Sequence, residues 1–338
     1  MCRLTGQERE TDLEQTTPAQ RLGMIRQFAV DACAFKGTPL LNPDSRDMLF
    51  ALCDEEKDTM IEHTVSLTSR HGLPFAVDIR RPVGQGARPI IIVCHGFKGF
   101  KDFAFFPYTS RKLCEQGFAV VTMNFSGNGI GTDPMNFTEL DKFAQNTISQ
   151  ELDDIEAVLD SIASGLLLGT QGDARRIGIV GHSRGGGTAI VKASLDPRLK
   201  CLVTWPSPAA LGRYSDELVR QWKENGRYNF VNARTKQDMF VNYSYLDDIQ
   251  ANRDRYSLDL AVSQLTIPYL TVHGTKDESV SVDAAHQLHS YAKTGQAELA
   301  LVEGGTHTFG TKHPFEGSTP ALEQAIEKTA AWLHRWLG

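Results

Sequence analysis

The fold of this 338-residue chain is decided by the stretch from Arg176 to Gly187, which reads Arg-Ile-Gly-Ile-Val-Gly-His-Ser-Arg-Gly-Gly-Gly. Its apolar part, Ile177 to Val180, predicts a strand that is buried on both faces. The strand runs directly into a Gly-x-Ser-x-Gly motif centred on Ser183, and a helical stretch with small residues follows. Strand, sharp turn and helix form the context of a nucleophile elbow. An ordinary serine in a glycine-rich turn is the alternative, so the partners of Ser183 decide between the two.

The composition is typical of a soluble globular protein, with 41% hydrophobic and 22% charged residues. The net charge of -6 provides no basic patch that would favour nucleic acid. No apolar run approaches the roughly 18 residues that a membrane span requires. We therefore expect neither a nucleic-acid partner nor a membrane span.

The cysteines and the N-terminus bear on compartment and cofactors. Six cysteines are scattered without a Cys-x-x-Cys pair, which argues against a zinc site and against a disulfide framework. Cys94 and Cys201 fall in apolar runs and are predicted to be small core residues. The polar run from Met1 to Glu10 does not resemble a secretory signal. We expect a cytoplasmic protein that uses no metal and no organic cofactor.

Two regions are predicted along the chain. Residues 1–56 are expected to form an N-terminal extension packed on the core, with helical spacing from Ala19 to Ala32 and a second short helix from Asp47 to Cys53. Disorder is expected over about the first 15 residues. Residues 57–338 are expected to form the catalytic domain.

Strands and helices alternate through the catalytic region. The strand sequences begin with an opening hairpin from Ile61 to Ile79, and buried strands then alternate with amphipathic helices. This alternation predicts an α/β fold with a mostly parallel, doubly wound sheet. The alternation stops between residues 206 and about 262, where no strand of the sheet is evident. We expect this segment to be a helical lid insertion over the carboxyl edge of the sheet.

A serine nucleophile needs a base and an orienting carboxylate, and in this fold order the acid follows a later strand. Asp277 follows the predicted strand from Ile267 to Val272 and is our candidate acid. Glu278 and Asp283 are its competitors, because one residue of loop register separates Asp277 from Glu278. A solvated loop carboxylate or a helix cap is the other role open to each.

The candidate base is His307, which follows the predicted strand from Ala297 to Val302. Both the acid and the base therefore leave the carboxyl edge of a parallel sheet, where such sheets bind ligands. The other histidines fit the role less well. His313 is too far along the loop, His286 and His289 fall within a helix, and His95 and His273 end strands, where we expect hydrogen bonds to loops.

An oxyanion hole needs two N–H donors near the carbonyl oxygen that becomes charged. One is predicted to be the backbone N–H of Arg184, the residue after the nucleophile. The other is predicted to come from the loop His95-Gly96-Phe97, with Phe97 as the donor.

These motifs together resemble the α/β-hydrolase superfamily over roughly residues 60 to 338. Within it, the chain resembles the bacterial cinnamoyl/feruloyl esterase-like branch, which is close to dienelactone hydrolases and to acylaminoacyl-peptidase catalytic domains. The motifs that carry this resemblance are His95-Gly96-Phe97-Lys98-Gly99, Asn124-Phe125-Ser126-Gly127-Asn128-Gly129, Gly181-His182-Ser183-Arg184-Gly185-Gly186 and Gly304-Gly305-Thr306-His307-Thr308-Phe309. Dienelactone hydrolases use a cysteine nucleophile, so Ser183 counts against that activity.

The resemblance implies a serine esterase, with a lid over an aryl-ester pocket at the position of the 206–262 segment. Nine aromatic residues fall between Trp205 and Tyr256, about 17% of that stretch against 9% for the chain. They could stack on an aryl or acyl group, or could simply fold a small cap onto the domain. Phe103, Phe105 and Phe106 could form the opposite pocket wall or belong to the core.

The function expected is cleavage of carboxylic esters, of aryl or short-acyl type, through an acyl-enzyme. A peptidase or amidase and an acyltransferase of the same superfamily are alternatives, and a binding module with dead chemistry is a third. The partner expected is a small-molecule ester, and a homodimer is left open.

Overall fold

The computed structural model describes residues 60–338, except residues 134, 213 and 294. The predicted N-terminal extension, its two helices and its disorder therefore lie outside the described residues.

The strands and helices of the described residues alternate much as the sequence predicts. The strands are β1 (Met60–Thr68), β2 (Pro74–Pro82), β3 (Arg88–Cys94), β4 (Ala119–Met123), β5 (Gly172–His182), β6 (Leu199–Trp205), β7 (Arg227–Val231), β8 (Asp238–Asn242), β9 (Tyr269–Gly274) and β10 (Ala297–Val302). The helices are α1 (Phe106–Glu115), α2 (Leu140–Gln145), α3 (Ile148–Ala163), α4 (Arg184–Leu195), α5 (Asp216–Asn225), α6 (Ser244–Ala251), α7 (Leu258–Gln264), α8 (Val282–Tyr291) and α9 (Pro320–Leu337).

Eight strands form one sheet in the order β1-β2-β4-β3-β5-β6-β9-β10. The first two strands form an antiparallel hairpin, and β2 also pairs antiparallel with β4. The remaining pairs are parallel, so the sheet is mostly parallel as predicted. Strand β5, which leads to Ser183, lies between β3 and β6 near the middle of the sheet.

Helices cover both faces of the sheet, and the sequence of β3 shows why. Ile90, Ile92 and Cys94 belong to the hydrophobic cluster on one face, whereas Ile91 and Val93 belong to the cluster on the other. Successive side chains of a strand point to opposite faces, so a continuous apolar run fits a strand that is buried twice. Helices α3 and α4 contribute to the first cluster, and α1 and α9 contribute to the second.

The segment of residues 206–262 differs from its prediction. None of its strands joins the central sheet, as expected, but β7 and β8 pair with each other as an antiparallel hairpin. The segment is therefore not purely helical: it consists of this hairpin with helices α5, α6 and α7. Each hairpin strand alternates inward and outward side chains, as in the burial of Met239 and Val241 on β8.

Candidate active site

Ser183 stands in a strained turn between β5 and α4. Its backbone has φ 57° and ψ −129°, in a region that residues other than glycine rarely adopt. The N–H of Ser183 donates to the carbonyl of Trp205 at 3.0 Å, which ties the turn to the end of β6. Such strain persists only where the surroundings enforce it, and it is common at functional sites.

The glycines of the elbow are required by steric contact. A Cβ on Gly181 would lie 2.3 Å from the carbonyl oxygen of Gly185, and a Cβ on Gly185 would lie 2.1 Å from the carbonyl oxygen of His95. Both distances are far shorter than any tolerable contact, so only glycine allows strand, helix and neighbouring loop to approach this closely. Steric contact is thus the physical reason for the Gly-x-Ser-x-Gly spacing.

The three predicted triad residues lie together at the carboxyl edge of the sheet. The Nε2 atom of His307 lies 3.1 Å from Ser183 Oγ, and its Nδ1 atom lies 2.8 Å from Asp277 Oδ2. The Asp277 side chain is fully buried, while that of His307 is 21% exposed. Because a carboxylate only accepts, Nδ1 of His307 carries a proton and Nε2 is left to accept the serine hydroxyl proton.

Several donors hold the Asp277 carboxylate in its ionised form. Its Oδ1 atom accepts the N–H groups of Ser279 at 2.8 Å and Val280 at 2.9 Å. Burial raises the pKa of Asp277, but hydrogen bonds from His273, His307 and Val280 outweigh it and hold the pKa well below its usual range. The carboxylate is thus a fixed negative charge beside His307.

The competing carboxylates occupy other positions. Glu278 is exposed, and no contact joins it to His307 within the described part of the chain. Asp283 is also exposed and accepts a hydrogen bond from Ser281 Oγ at 3.0 Å. The turn that points Asp277 inward therefore points its neighbour outward.

Two further histidines support the site through hydrogen bonds to loops. The Nδ1 atom of His95 donates to the carbonyl of Gly96 at 2.9 Å, and its Nε2 atom accepts the N–H of Phe125 at 3.0 Å. Burial lowers the pKa of His95 to about 4, in agreement with a neutral ring. His273 Nε2 lies 2.9 Å from the carbonyl of Val280, so it supports the loop that carries Asp277. The loop roles predicted for His95 and His273 are thereby confirmed.

His182, for which no role is predicted above, supports the predicted base His307. Its Nε2 atom donates to the backbone carbonyl of His307 at 2.9 Å. Burial, aided by the charge of a protonated His307, lowers the pKa of His182 to about 3, so the ring stays neutral near pH 7. The signal in the sequence is its position directly before Ser183, the predicted nucleophile.

The predicted oxyanion loop lies against the elbow. A Cβ on Gly96 would lie 2.7 Å from Ser183 Cβ and 3.3 Å from the backbone nitrogen of Arg184, so the two chain segments are in close contact. Phe97 and Arg184 line one cavity together with Ser183. The loop that carries Phe97 and the residue that follows Ser183 therefore lie beside the predicted nucleophile.

A cavity of about 650 Å³ opens beside Ser183. Much of its wall comes from the 206–262 segment and from the start of α8: Pro208, Ala209, Ala210, Leu211, Gly212, Tyr214, Trp222, Tyr228, Val241, Tyr245, Ser279, Val280, Ser281, Asp283, Ala284 and Gln287. Four of the nine aromatic residues counted in the sequence line it, whereas Trp205 is a buried core residue. Phe105 and Phe106 are buried in the core and Phe103 packs against it.

The described residues contain no group of three or more His, Cys, Asp or Glu side chains arranged to hold a metal ion. Cys94 and Cys201 are buried free thiols in the core, as predicted. No helix in the described ranges has the length and apolar character needed to cross a membrane.

Comparison with known families agrees with this geometry. The model of the dienelactone hydrolase family matches residues 75–337, which include the turn at Ser183 and the loops that carry Asp277 and His307. The chain belongs to the dienelactone hydrolase family. In this family member the elbow residue is Ser183, and the mostly parallel sheet is that of an α/β-hydrolase.

Relatives of this dienelactone hydrolase family member include proteins with and without a stated activity. It is 26% identical over 226 residues to an uncharacterized 31.7 kDa protein of the traX-finO intergenic region of Escherichia coli, covering 62% of this chain and 72% of that protein. It is also 26% identical over 212 residues to 2,6-dihydropseudooxynicotine hydrolase of Paenarthrobacter nicotinovorans, covering 61% of this chain and 49% of the relative.

Solved structures share the fold at lower identity. Est1E of Butyrivibrio proteoclasticus, solved with ferulic acid bound, superposes with a TM-score of 0.61 at 21% identity, covering 80% of this chain and 98% of Est1E. The 2,6-dihydroxy-pseudo-oxynicotine hydrolase superposes with a TM-score of 0.56 at 18% identity, covering 88% of this chain and 76% of the other. The neighbours show the shared fold, and family membership identifies a hydrolase.

Proposed function

We propose that this hydrolase cleaves carboxylic esters, of aryl or short-acyl type, through a Ser183–His307–Asp277 triad. The observation that carries the proposal is the pair of contacts made by His307, at 3.1 Å to Ser183 Oγ and at 2.8 Å to Asp277. A base bonded to both a nucleophile and a buried carboxylate is the arrangement that activates a serine hydroxyl.

The mechanism follows from the positions of these groups. Ser183 Oγ attacks the ester carbonyl while His307 Nε2 takes its proton, and Asp277 stabilises the resulting imidazolium. The backbone N–H groups of Phe97 and Arg184 hold the oxyanion. His307 then gives its proton to the leaving alcohol, and a water molecule repeats the cycle to release the acid from Ser183.

The aromatic wall of the cavity supports an aryl or acyl group as the part that binds beside Ser183. Tyr214, Trp222, Tyr228 and Tyr245 supply flat apolar surface there. The neighbour Est1E binds ferulic acid, which is the same chemical type. In this proposal residues 206–262 act as the lid of a single catalytic domain, residues 57–338.

Substitution of Ser183 tests the proposal. Ser183→Ala is expected to lower kcat for p-nitrophenyl butyrate by roughly 10⁴–10⁶-fold with the fold intact, and to abolish labelling by a fluorophosphonate probe. Ser194→Ala, a serine at the far end of the same helix, is the matched control and should retain activity. Near-normal turnover by Ser183→Ala would contradict the assignment of Ser183 as the nucleophile.

A peptidase is the second candidate, because a relative in Bacillus subtilis that is 24% identical over 266 residues is named an uncharacterized peptidase. Assays with an aminoacyl anilide and with an aryl ester separate a peptidase from an esterase. We expect turnover of the ester to be much faster. An acyltransferase reaction, a cytoplasmic location, the absence of a cofactor and a homodimer stay predictions from the sequence.

A further inference from the structure

The side chain of Arg184 lies in the wall of the cavity that opens beside the proposed nucleophile. Arg184 is the first residue of α4, and its side chain is 14% exposed. It lines the cavity together with Ser183 and Phe97. Its backbone N–H is the proposed oxyanion donor. The side chain is a separate group, which can have a second role.

The guanidinium group is held in one place. Its Nη2 atom lies 2.6 Å from Glu151 Oε1, and its central carbon lies 4.7 Å from the ring centre of Phe97 and 5.7 Å from that of Tyr245. A planar guanidinium between aromatic rings and a carboxylate has little freedom to turn. A rigid donor of this kind is suited to recognising a fixed point on a ligand.

Both carboxylate oxygens of Glu151, the partner of Arg184, accept hydrogen bonds. It is 1% exposed, and besides Arg184 it accepts Asn146 Nδ2 at 2.9 Å and Thr188 Oγ1 at 2.9 Å. The buried carboxylate balances the charge of the guanidinium. The pair therefore presents donors to the cavity without a net charge.

Arg184 retains unused donors. Within the described residues its guanidinium makes one hydrogen bond, from Nη2, so that Nε and Nη1 have no protein acceptor. Nε is shielded from solvent, Nη1 is not among the fully buried atoms, and Arg184 is one of the residues that line the cavity. The surrounding cavity wall is largely apolar, and the buried Trp222 Nε1 there already donates to Val241. A ligand oxygen beside Nη1 would gain a charge-assisted hydrogen bond in apolar surroundings.

We propose that Arg184 is a specificity-determining residue that binds an uncharged oxygen acceptor, such as a carbonyl or an ether oxygen, in the acyl group beyond the scissile carbonyl. The inference rests on the proposed function, since it takes Ser183 to be the nucleophile. A carboxylate at this point would bring a second anion close to Glu151, with a single guanidinium between them and little solvent. The charge balance therefore selects a neutral acceptor.

The test compares p-nitrophenyl esters of matched chain length. The keto esters are the 4-oxopentanoate, the 5-oxohexanoate and the 6-oxoheptanoate. Each is compared with the unsubstituted alkanoate ester and with the half-ester of the dicarboxylic acid of the same chain length. For the wild type, kcat/KM of the keto ester should exceed that of its alkanoate by about tenfold or more at one chain length. The dicarboxylic half-esters should be the poorest substrates.

Removal of Arg184 alone would leave Glu151 buried and unpaired, so the variant to test is Arg184→Met/Glu151→Gln. Its ratio of kcat/KM between keto ester and alkanoate should fall to about one. Glu151→Gln is the matched control: it should keep the keto preference, and its turnover of the half-esters should rise because the guanidinium charge is no longer balanced.

The outcomes separate the inference from the proposed function. If the double variant keeps the wild-type keto preference, or if the wild type prefers the half-esters, the role given to Arg184 is wrong while the esterase assignment stands. If the wild type hydrolyses no ester and fluorophosphonate does not label Ser183, the proposed function itself fails. Labelling of each variant with the probe reports whether the elbow is intact.

Discussion

The Nε2 atom of His182 lies 2.9 Å from the backbone carbonyl oxygen of His307, so the residue before the proposed nucleophile holds the residue proposed as its base. The two rings are also in contact, with centroids 4.7 Å apart. Two contacts therefore hold the His307 imidazole near the Ser183 hydroxyl: one from His182 in the elbow and one from Asp277. His182 is in this sense a positioning residue, since it acts through His307.

Loss of this hydrogen bond is expected to lower kcat. His182→Leu removes the donor, and misplacement of the base by about an ångström should reduce kcat by roughly 10²-fold, with little change in KM. His182→Gln retains an N–H donor and should recover part of the loss. Steady-state kinetics on p-nitrophenyl butyrate gives both constants. A rise in KM alone, with kcat unchanged, would speak against the positioning role.

The acid can be separated from its neighbour in the loop. Asp277→Asn should reduce kcat by about 10⁴-fold, because the amide no longer fixes the imidazole tautomer or stabilises its charged form. Glu278→Gln is the matched control, since Glu278 is exposed and should tolerate the change. Measurement of kcat for both variants checks the assignment, and an equal loss in the two would contradict it.

Gly185 and Gly187 of α4 allow a test of how much a Cβ at each position would destabilise the fold. A Cβ on Gly185 would meet the carbonyl oxygen of His95 at 2.1 Å, whereas a Cβ on Gly187 would meet the end of the Leu211 side chain at 2.8 Å. Gly185→Ala is expected to lower the free energy of unfolding by about 1–3 kcal/mol or more, because backbone atoms must move. Gly187→Ala should cost less, since a side chain can turn away. Urea unfolding of both variants measures the difference.

Asp154 predicts a pH dependence of stability. Its side chain is fully buried, and Oδ2 accepts the N–H of Ser126 at 2.7 Å. Burial raises the pKa of Asp154 to about 7, helped by the nearby charges of Glu151 and Asp153. The folded protein thus keeps a proton that the unfolded chain releases near pH 4, so this group lowers the free energy of unfolding as pH rises from about 4 to about 7.

The size of that effect can be isolated with Asp154→Asn. Between pH 5 and pH 8 the wild type should lose on the order of 3 kcal/mol relative to the variant, at about 1.4 kcal/mol per pH unit up to the folded-state pKa. Urea unfolding at the two pH values gives the four free energies required. Parallel pH profiles for the two proteins would show that Asp154 does not hold its proton.

The sequence predicts the elbow well because each of its residues has a local physical reason. Gly181 and Gly185 are required by contacts that no side chain could tolerate, and the strand before them is apolar throughout. Sequence alone does not separate Asp277 from Glu278 as the proposed acid, since the two are adjacent and chemically alike. Only the turn that brings the N–H groups of Ser279 and Val280 to one carboxylate selects between them.

Other features depend on contacts between distant segments. The β7–β8 hairpin carried a weak signal, the alternation of Tyr228 and Phe230 and of Met239 and Val241, but strands of five residues are short beside the helices that flank them. The partnership of Arg184 with Glu151 joins two helices and has no local signature in the sequence. Such features follow from the packing of the whole domain.

His307, the proposed base, follows β10, which is an edge strand of the sheet. In the described sheet β10 pairs on one side only, with β9, and His307 lies in the loop that leaves it, whereas Ser183 leaves the central strand β5. Edge strands separate from a sheet more readily than central ones. On gentle warming the protein should therefore stop turning over substrate while its far-ultraviolet circular dichroism is still that of the native state, so that inactivation comes before melting.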